Sequence, residues 1–284
     1  AGAAAAHAVP ARGRLGRLGR SRASPAMSSP DGAYVLPDSF DDGARQCGAN
    51  ILTALDAGVA KMRIDFDTSA GDITYTTLRN SLPIARTLML MLAEKLCVEA
   101  NGQPAGKLQM LMPDEGTAAL VAREWAPPPT VHCASIARYR VPEDAVACIV
   151  VAPTSLDTGA LDALLNSEPV MSGNVPVIVL NPQLVNMNTG ALGLEGRQML
   201  KRMASEFPDV FVLQTLPGAA ITRKYPDKYA IWQEDPEAPG GFRFVRDDPK
   251  RPSAFAISEE LYEDTETPGW LKELKSLINS LQRL

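Results

Sequence analysis

Histidine and cysteine are scarce in this sequence, and their spacing excludes several common kinds of site. The 284 residues include two histidines and four cysteines, which are Cys47, Cys97, Cys133 and Cys148. No two cysteines lie at the spacing of a CxxC redox pair or of a zinc site. We therefore expect reduced thiols that pack as small hydrophobic side chains. His132 is the only histidine outside the first ten residues. Because it lies within a predicted strand, we expect a buried ring without a catalytic role.

Acidic residues are missing from the first 30 residues, which contain five arginines among alanine, glycine and serine. No continuous apolar stretch of the kind found in a secretory signal interrupts them. This composition is typical of an organellar transit peptide. We predict a leader over residues 1–34 without packed structure, followed by one α/β domain over residues 35–284. A disordered basic tail that binds an acidic partner is the alternative.

Long apolar runs are also absent, which argues against a transmembrane segment. Peripheral association with a membrane stays compatible with the sequence. The whole chain has a net charge of −5, and the part after the arginine-rich leader is more acidic still. Such a protein lacks the positive field of a nonspecific nucleic-acid binder, so we expect no nucleic-acid partner. A local basic groove is the alternative.

The body of the chain alternates short apolar runs with helical patterns. Strands are predicted at Lys107–Met112, Thr130–Ala137, Ala147–Ala152, Val175–Leu180 and Val210–Leu216, and helices follow several of them. Runs such as Val177–Leu180 are apolar at every position, as in strands covered on both faces. After Pro217, three short strands separated by turns suggest antiparallel additions. We predict a mostly parallel, doubly wound α/β sheet with antiparallel edge strands and a C-terminal amphipathic helix after Pro268.

Polar residues that follow the predicted strands are the candidate ligand or partner residues, because ligands of doubly wound sheets bind beyond the carboxyl ends of the strands. These candidates are Asp114, Gly116, Thr117, Thr154, Ser155 and Asn181. The same residue types are favoured as helix caps and in turns, and that structural interpretation is weighted more heavily.

Nucleotide-binding sequences are absent, since neither a Walker sequence nor a GxGxxG after a strand occurs. Asp65 and Asp67 imitate the DxDxT motif of dehalogenase-type phosphatases, in which one aspartate attacks phosphorus and Mg²⁺ binds nearby. In that alternative, Thr154 or Ser155 supplies a hydroxyl and Asp247-Asp248 the late acidic pair. Otherwise we expect no metal and no cofactor.

Two basic clusters offer contacts for an anion or an acidic partner. One contains Arg197, Lys201 and Arg202 on a predicted helix, and the other contains Arg223 and Lys224 beside Tyr225. A solvated helix face and a turn are the simpler interpretations.

Several segments together resemble a plastid and cyanobacterial family defined by a domain of unknown function, which occurs in a low-photosystem-II-accumulation assembly factor and in the extension of a chloroplast adenylate kinase. The matching segments cover most of residues 35–250; they are Leu36-Pro37, Gly71–Tyr75, Leu111–Gly116 running to Trp125, Val150–Pro153, Pro176–Pro182, Arg197, and Arg223–Pro226 leading to Trp232.

The resemblance implies a chloroplast protein of the stroma or the stromal face of the thylakoid. It also implies a role in photosystem assembly through protein partners. Together with the leader and the missing catalytic constellation, it leads us to expect a non-enzymatic factor whose partners are photosystem subunits or subunits of another plastid complex. No catalytic residue is carried over, and the kinase activity belongs to the neighbouring domain of that fusion. The alternative is a phosphoester-binding or Mg²⁺-dependent phosphatase-like enzyme that uses the crevice at the strand ends.

Overall fold

A computed structural model describes residues 29, 32, 34–66, 75–99, 101–184, 194–253, 256–257 and 260–261. Within these residues, nine strands form one sheet in the order β3-β2-β4-β5-β1-β6-β7-β8-β9. The strands are β1 Lys61–Phe66, β2 Lys107–Met112, β3 Val131–Ser135, β4 Ala145–Val151, β5 Val177–Leu180, β6 Asp209–Leu216, β7 Ala219–Lys224, β8 Tyr229–Glu234 and β9 Phe242–Asp248. The strands from β3 to β6 in this order pair in parallel, and β7 to β9 extend the sheet in antiparallel pairs. The predicted fold class is confirmed.

Helices cover both faces of the parallel part of the sheet. They are α1 Phe40–Asp56, α2 Tyr75–Leu96, α3 Glu115–Trp125, α4 Thr158–Leu165, α5 Glu168–Met171 and α6 Leu194–Glu206. Residues of α1, α2 and α3 share one hydrophobic cluster with the sheet, and residues of α4, α5 and α6 share another. Strands between two helical layers have no polar face, which explains the uniformly apolar β5.

The direction of the chain reverses between the neighbouring strands β1 and β5. From β1 the chain passes through α2 to β2, three places away in one direction, whereas from β5 it passes through α6 to β6 in the other direction. Because α2 and α6 lie on opposite faces, the loops after the two strands leave on opposite sides. This topological switch point is where doubly wound proteins hold a ligand.

Chain segments at both ends of the domain cover the antiparallel strands. Leu36 packs in a cluster with Trp232, and the ring of Tyr34 stacks on Phe244 with centroids 5.4 Å apart. Ser29 is buried, and its hydroxyl accepts a hydrogen bond of 2.9 Å from the backbone of Tyr34. The expectation that residues 1–34 lack packed structure is therefore wrong for Ser29 and Tyr34. On the other face, Ile257 packs against β6, β7 and β8.

Helix α2 begins at Tyr75 and contains Pro83 in its interior. Pro83 is exposed, and as a proline it donates no backbone hydrogen bond within the helix. The helix predicted after Pro268 lies outside the described residues. Among the helices of the described ranges, none combines the length and the apolar character needed to cross a bilayer.

Candidate functional site

A cleft of about 250 Å³ lies at the switch point, at the carboxyl ends of β1, β5 and β6. Its walls come from five parts of the chain. Side chains that line it include Arg63 and Asp65 of β1, Asn181 and Gln183 after β5, Gln214 of β6, and Arg251, which follows β9. Phe66 and Leu213 add apolar surface. The cleft therefore presents mostly polar groups, with two guanidinium groups among them.

Asn181 joins the two strands of the switch point. Its backbone is left-handed, with φ of +50°, a conformation in which asparagine is enriched. Its Oδ1 accepts a hydrogen bond of 2.7 Å from the backbone N–H of Phe66, and its Nδ2 donates one of 2.8 Å to Ser81 of α2. The side chain is buried, and both of its polar atoms are used by the fold. Asn181 thus shapes the cleft through contacts within the protein.

Asp65 is held between two arginines. Arg63 donates to both carboxylate oxygens, at 3.2 and 2.8 Å, and Arg251 also binds this carboxylate. Arg251 in addition contacts Asp209 at 3.3 Å and donates a hydrogen bond of 3.0 Å to Gln214. Burial lowers the pKa of Arg251, but the attraction of Asp65 and Asp209 outweighs it and raises the pKa overall. The group is a compact network of two cations and two anions.

Asp209 connects this network to the antiparallel strands. Tyr229 donates a hydrogen bond of 2.8 Å to Asp209 and accepts one of 2.9 Å from Arg223. Burial raises the pKa of Tyr229, and the negative charge of Asp209 raises it further. Arg223 also covers the Tyr229 ring, with its guanidinium carbon 4.6 Å from the ring centroid. The predicted partner residue Arg223 is therefore engaged within the protein.

Tyr225 lies at the opposite end of β6 from the cleft. Its backbone N–H donates to Val210 O at 2.9 Å and to Asn50 Oδ1 at 2.7 Å, and its carbonyl accepts from Asn50 Nδ2 at 2.9 Å. The Tyr225–Pro226 peptide bond is cis, and the side chain packs against the core. All of these contacts lie within the protein and support its fold.

Asp114, Gly116 and Thr117 form the first turn of α3. Asp114 is the N-cap, and its two oxygens accept hydrogen bonds from the backbone N–H of Thr117 at 2.8 Å and from its hydroxyl at 2.7 Å. The backbone hydrogen bond from Thr117 is the main cause that lowers the pKa of Asp114. This geometry is the capping arrangement that the sequence favoured, and a ligand role for these three residues stays a prediction.

Thr154 and Ser155 open the short helical turn Ser155–Asp157 that precedes α4. Thr154 donates a hydrogen bond of 2.8 Å from its hydroxyl to Asp157, and its backbone N–H donates to the same oxygen at 2.8 Å. Thr154 also forms an isolated bridge with Gln183 of the cleft wall. The structure thus brings the Thr154 backbone next to the cleft, whereas its hydroxyl serves the cap.

The basic clusters contain residues that bind other groups of the protein and residues that are exposed. Arg202 donates to Asp162 of α4 at 2.7 Å and to Glu206 at 3.0 Å, so it ties α6 to α4. Lys224, from the second cluster, donates a hydrogen bond of 2.9 Å to the carbonyl of Val35. Arg197 and Lys201 lie on the exposed side of α6, one turn apart. Neither forms an ion pair with any other described residue.

The phosphatase-like motif is not assembled within the described residues. Asp67 lies outside them, and the carboxylate of Asp65 forms ion pairs with two arginines. Asp247 and Asp248 are on β9, at the far end of the sheet, where they contact Lys228 and Arg246. Across the described ranges, no group of three histidine, cysteine, aspartate or glutamate side chains is arranged to hold a metal ion.

Sequence reasoning missed most of the charge network. Charged residues at positions 63 and 65 of a strand at the centre of the sheet were one available indication, because burial in such a strand requires a partner for each charge. Nothing in the local sequence indicated Arg251 or Asp209 as their partners.

His132 was expected to be buried, but it is exposed on the edge strand β3, with its Nδ1 3.0 Å from Gln109 Oε1.

These features define a doubly wound α/β protein with a polar cleft at its switch point. Segments from the two ends of the domain cover its antiparallel extension. The chain belongs to the family defined by a domain of unknown function (DUF1995), which matches residues 37–259. Among curated proteins, none matches the chain.

Proposed function

We propose that this chain is a plastid accessory factor that aids photosystem assembly by binding protein subunits, without catalysing a reaction. A peripheral subunit of another plastid complex is a close variant of the same role. The arginine-rich, acid-free leader supports a chloroplast location, in the stroma or on the stromal face of the thylakoid. The resemblance of the body to a domain found in an assembly factor supports the partner class.

The exposed cationic pair Arg197 and Lys201 is the observation that carries a docking role. Both residues lie on one side of α6, where positions four apart are neighbours. The other basic residues of the two clusters bind within the protein, whereas this pair has no carboxylate partner among the described residues. A cationic surface of this kind attracts an acidic segment of a partner.

The hydrogen bonds to the carboxylate of Asp65 support a docking role over the phosphatase alternative. A nucleophilic carboxylate needs an oxygen that is free to attack phosphorus. Both oxygens of Asp65 accept hydrogen bonds from Arg63, and Arg251 binds one of them as well. Mg²⁺-dependent phosphatase turnover that is lost in Asp65→Asn would support the alternative instead.

Affinity capture from solubilised thylakoids tests the docking role. The tagged wild-type chain is expected to recover photosystem subunits, and the variant Arg197→Glu/Lys201→Glu is expected to lose them. The matched control is Arg86→Glu/Lys95→Glu, which makes the same change of charge at two exposed positions of α2. Recovery of no photosystem subunit, together with normal photosystem levels in a knockout, contradicts the proposal. Equal recovery by both double variants contradicts the assignment to α6.

A further inference from the structure

The walls of the switch-point cleft contain polar atoms that the fold does not use. Arg63 binds Asp65 through Nε and Nη2, so its Nη1 has no partner among the described residues. Gln214 accepts from Arg251 through Oε1, and its Nε2 is likewise uncommitted within the described ranges. Gln183 donates to Thr77 through Nε2, which leaves its Oε1 available. Within the described ranges, these three side chains thus offer two N–H donors and one acceptor.

The charges that line the cleft favour an anion. Arg63 and Arg251 both line it, whereas of their two carboxylate partners only Asp65 does. Asp209, the second partner, is buried at the start of β6 and contributes no lining surface. Guanidinium groups and amide N–H groups are the donors that hold a carboxylate in proteins.

We propose that this cleft binds a small carboxylate that carries a hydroxyl or amino group next to the carboxyl. The carboxylate oxygens accept hydrogen bonds from Arg63 Nη1 and Gln214 Nε2. The hydroxyl or amino group donates to Gln183 Oε1. Phe66 and Leu213 contact the carbon chain. A volume of about 250 Å³ holds a molecule of a few carbon atoms, since about eight waters fill the same space in the liquid.

The proposal concerns a different surface from the one proposed for protein docking, so each can fail without the other. A ligand held here lies between β1, β5 and β6 and makes this domain a candidate sensor of a small metabolite.

Titration of the full chain with lactate, propionate and inorganic phosphate, followed by calorimetry and by NMR, tests the site. Lactate is expected to bind saturably and about tenfold more tightly than propionate, which lacks the hydroxyl group that donates to Gln183. In Gln183→Leu this difference is expected to disappear. Absence of saturable lactate binding at millimolar concentrations overturns the proposal, and so does binding of phosphate alone.

A charge variant locates the binding. Gln214→Glu keeps an acceptor for Arg251 but removes the amide donor and places a negative charge beside the ligand. Lactate binding is expected to weaken by roughly tenfold or more. The matched control is Gln233→Glu, since Gln233 accepts a similar hydrogen bond of 2.8 Å from Arg243, far from the cleft. Equal lactate affinity in Gln214→Glu and in the wild type overturns the assignment.

Discussion

Arg251 binds the carboxylate of Asp65, a residue 186 positions earlier in the chain, and so joins the segment after the last strand to the strand at the centre of the sheet. The same guanidinium group contacts Asp209 and Gln214 on the neighbouring strand β6. One side chain therefore contacts two carboxylates and forms part of one wall of the cleft. Such a contact couples the stability of the sheet to the position of the C-terminal segment.

Replacement of Arg251 tests this coupling. Among the described residues, Arg251→Ala leaves Arg63 as the one guanidinium group in contact with both Asp65, at 2.8 Å, and Asp209, at 3.6 Å. We expect a loss of about 2–4 kcal/mol in the free energy of unfolding, measured by urea denaturation, because breaking a largely buried ion pair leaves charge without a partner.

A double-mutant cycle separates the ion pair from general damage. Asp65→Asn removes the charge with little change in shape, so the loss caused by Arg251→Ala is expected to be smaller in that background. If the two losses simply add, Arg251 and Asp65 do not stabilise each other in solution.

Two variants of Asn181 measure how much its two side-chain hydrogen bonds stabilise the fold. Asn181→Gly keeps the left-handed backbone and removes the bonds to Phe66 and Ser81, whereas Asn181→Ala adds the strain of an alanine at positive φ. We expect losses of about 2 kcal/mol for glycine and about 3 kcal/mol for alanine in urea unfolding. Equal stability of the glycine variant and the wild type contradicts the bonding described for Asn181.

The cap at Asp114 predicts a dependence on pH. Because hydrogen bonds from Thr117 lower the pKa of the folded carboxylate, its contribution is present above the unfolded pKa and is lost as the pH falls through the lowered folded value. Asp114→Ala is expected to cost about 1 kcal/mol at neutral pH and progressively less below pH of about 4. The comparison uses thermal unfolding across that range.

Asp114→Asn is the control for the charge. Asparagine also caps helices, but it does not titrate, so its difference from alanine is expected to be independent of pH. A difference between aspartate and alanine that stays constant down to strongly acidic pH contradicts the role of the ionised carboxylate.

The cysteines differ in burial and therefore in reactivity. All four are free thiols, and Cys133 alone among them is partly exposed. Burial raises the pKa of Cys133 to about 11 and that of Cys148 to about 12. In the folded protein we expect iodoacetamide to modify Cys133 first, because the thiolate is the reacting form. The reaction is expected to be slow near neutral pH, and its rate to rise about tenfold for each unit by which the pH increases toward the pKa of Cys133.

Mass spectrometry of the alkylated peptides measures this order. All four cysteines are expected to react rapidly once the chain is unfolded in urea, which provides the reference rate. Modification of Cys47 as fast as that of Cys133 in the folded state contradicts the buried position of Cys47 in the core.

Local patterns predicted the elements of this fold better than the contacts between them. The apolar run Val177–Leu180 identified a buried strand, and the residue types at Asp114 and Thr117 favoured a cap that the structure contains. The partnership of Arg251 with Asp65 depends on how the chain returns across the antiparallel strands, which no short window of sequence contains. The position of His132 within a strand led us to expect a buried ring, but β3 is an edge strand and the ring is exposed.

The boundary of the leader illustrates the same limit. Composition separated the arginine-rich segment from the body, yet it could not indicate that Ser29 and Tyr34 take part in packing. Tyr34 stacks on Phe244, a residue of the last strand, and donates a hydrogen bond of 3.0 Å to Asp247. Such contacts connect distant parts of the sequence, so a boundary placed by composition alone separates residues that pack together.

Two truncations test where the folded domain begins. A chain that starts at Ser29 keeps the stacking of Tyr34 on Phe244 and its hydrogen bond to Asp247, so its free energy of unfolding is the reference value. A chain that starts at Val35 loses both contacts and is expected to be less stable by about 1–2 kcal/mol in urea unfolding. Tyr34→Phe in the longer chain separates the two contributions, because it keeps the stacked ring and removes the hydroxyl group. If both truncated chains unfold at the same urea concentration, the segment before Val35 does not stabilise the domain, and a leader that ends at residue 34 is then compatible with the fold.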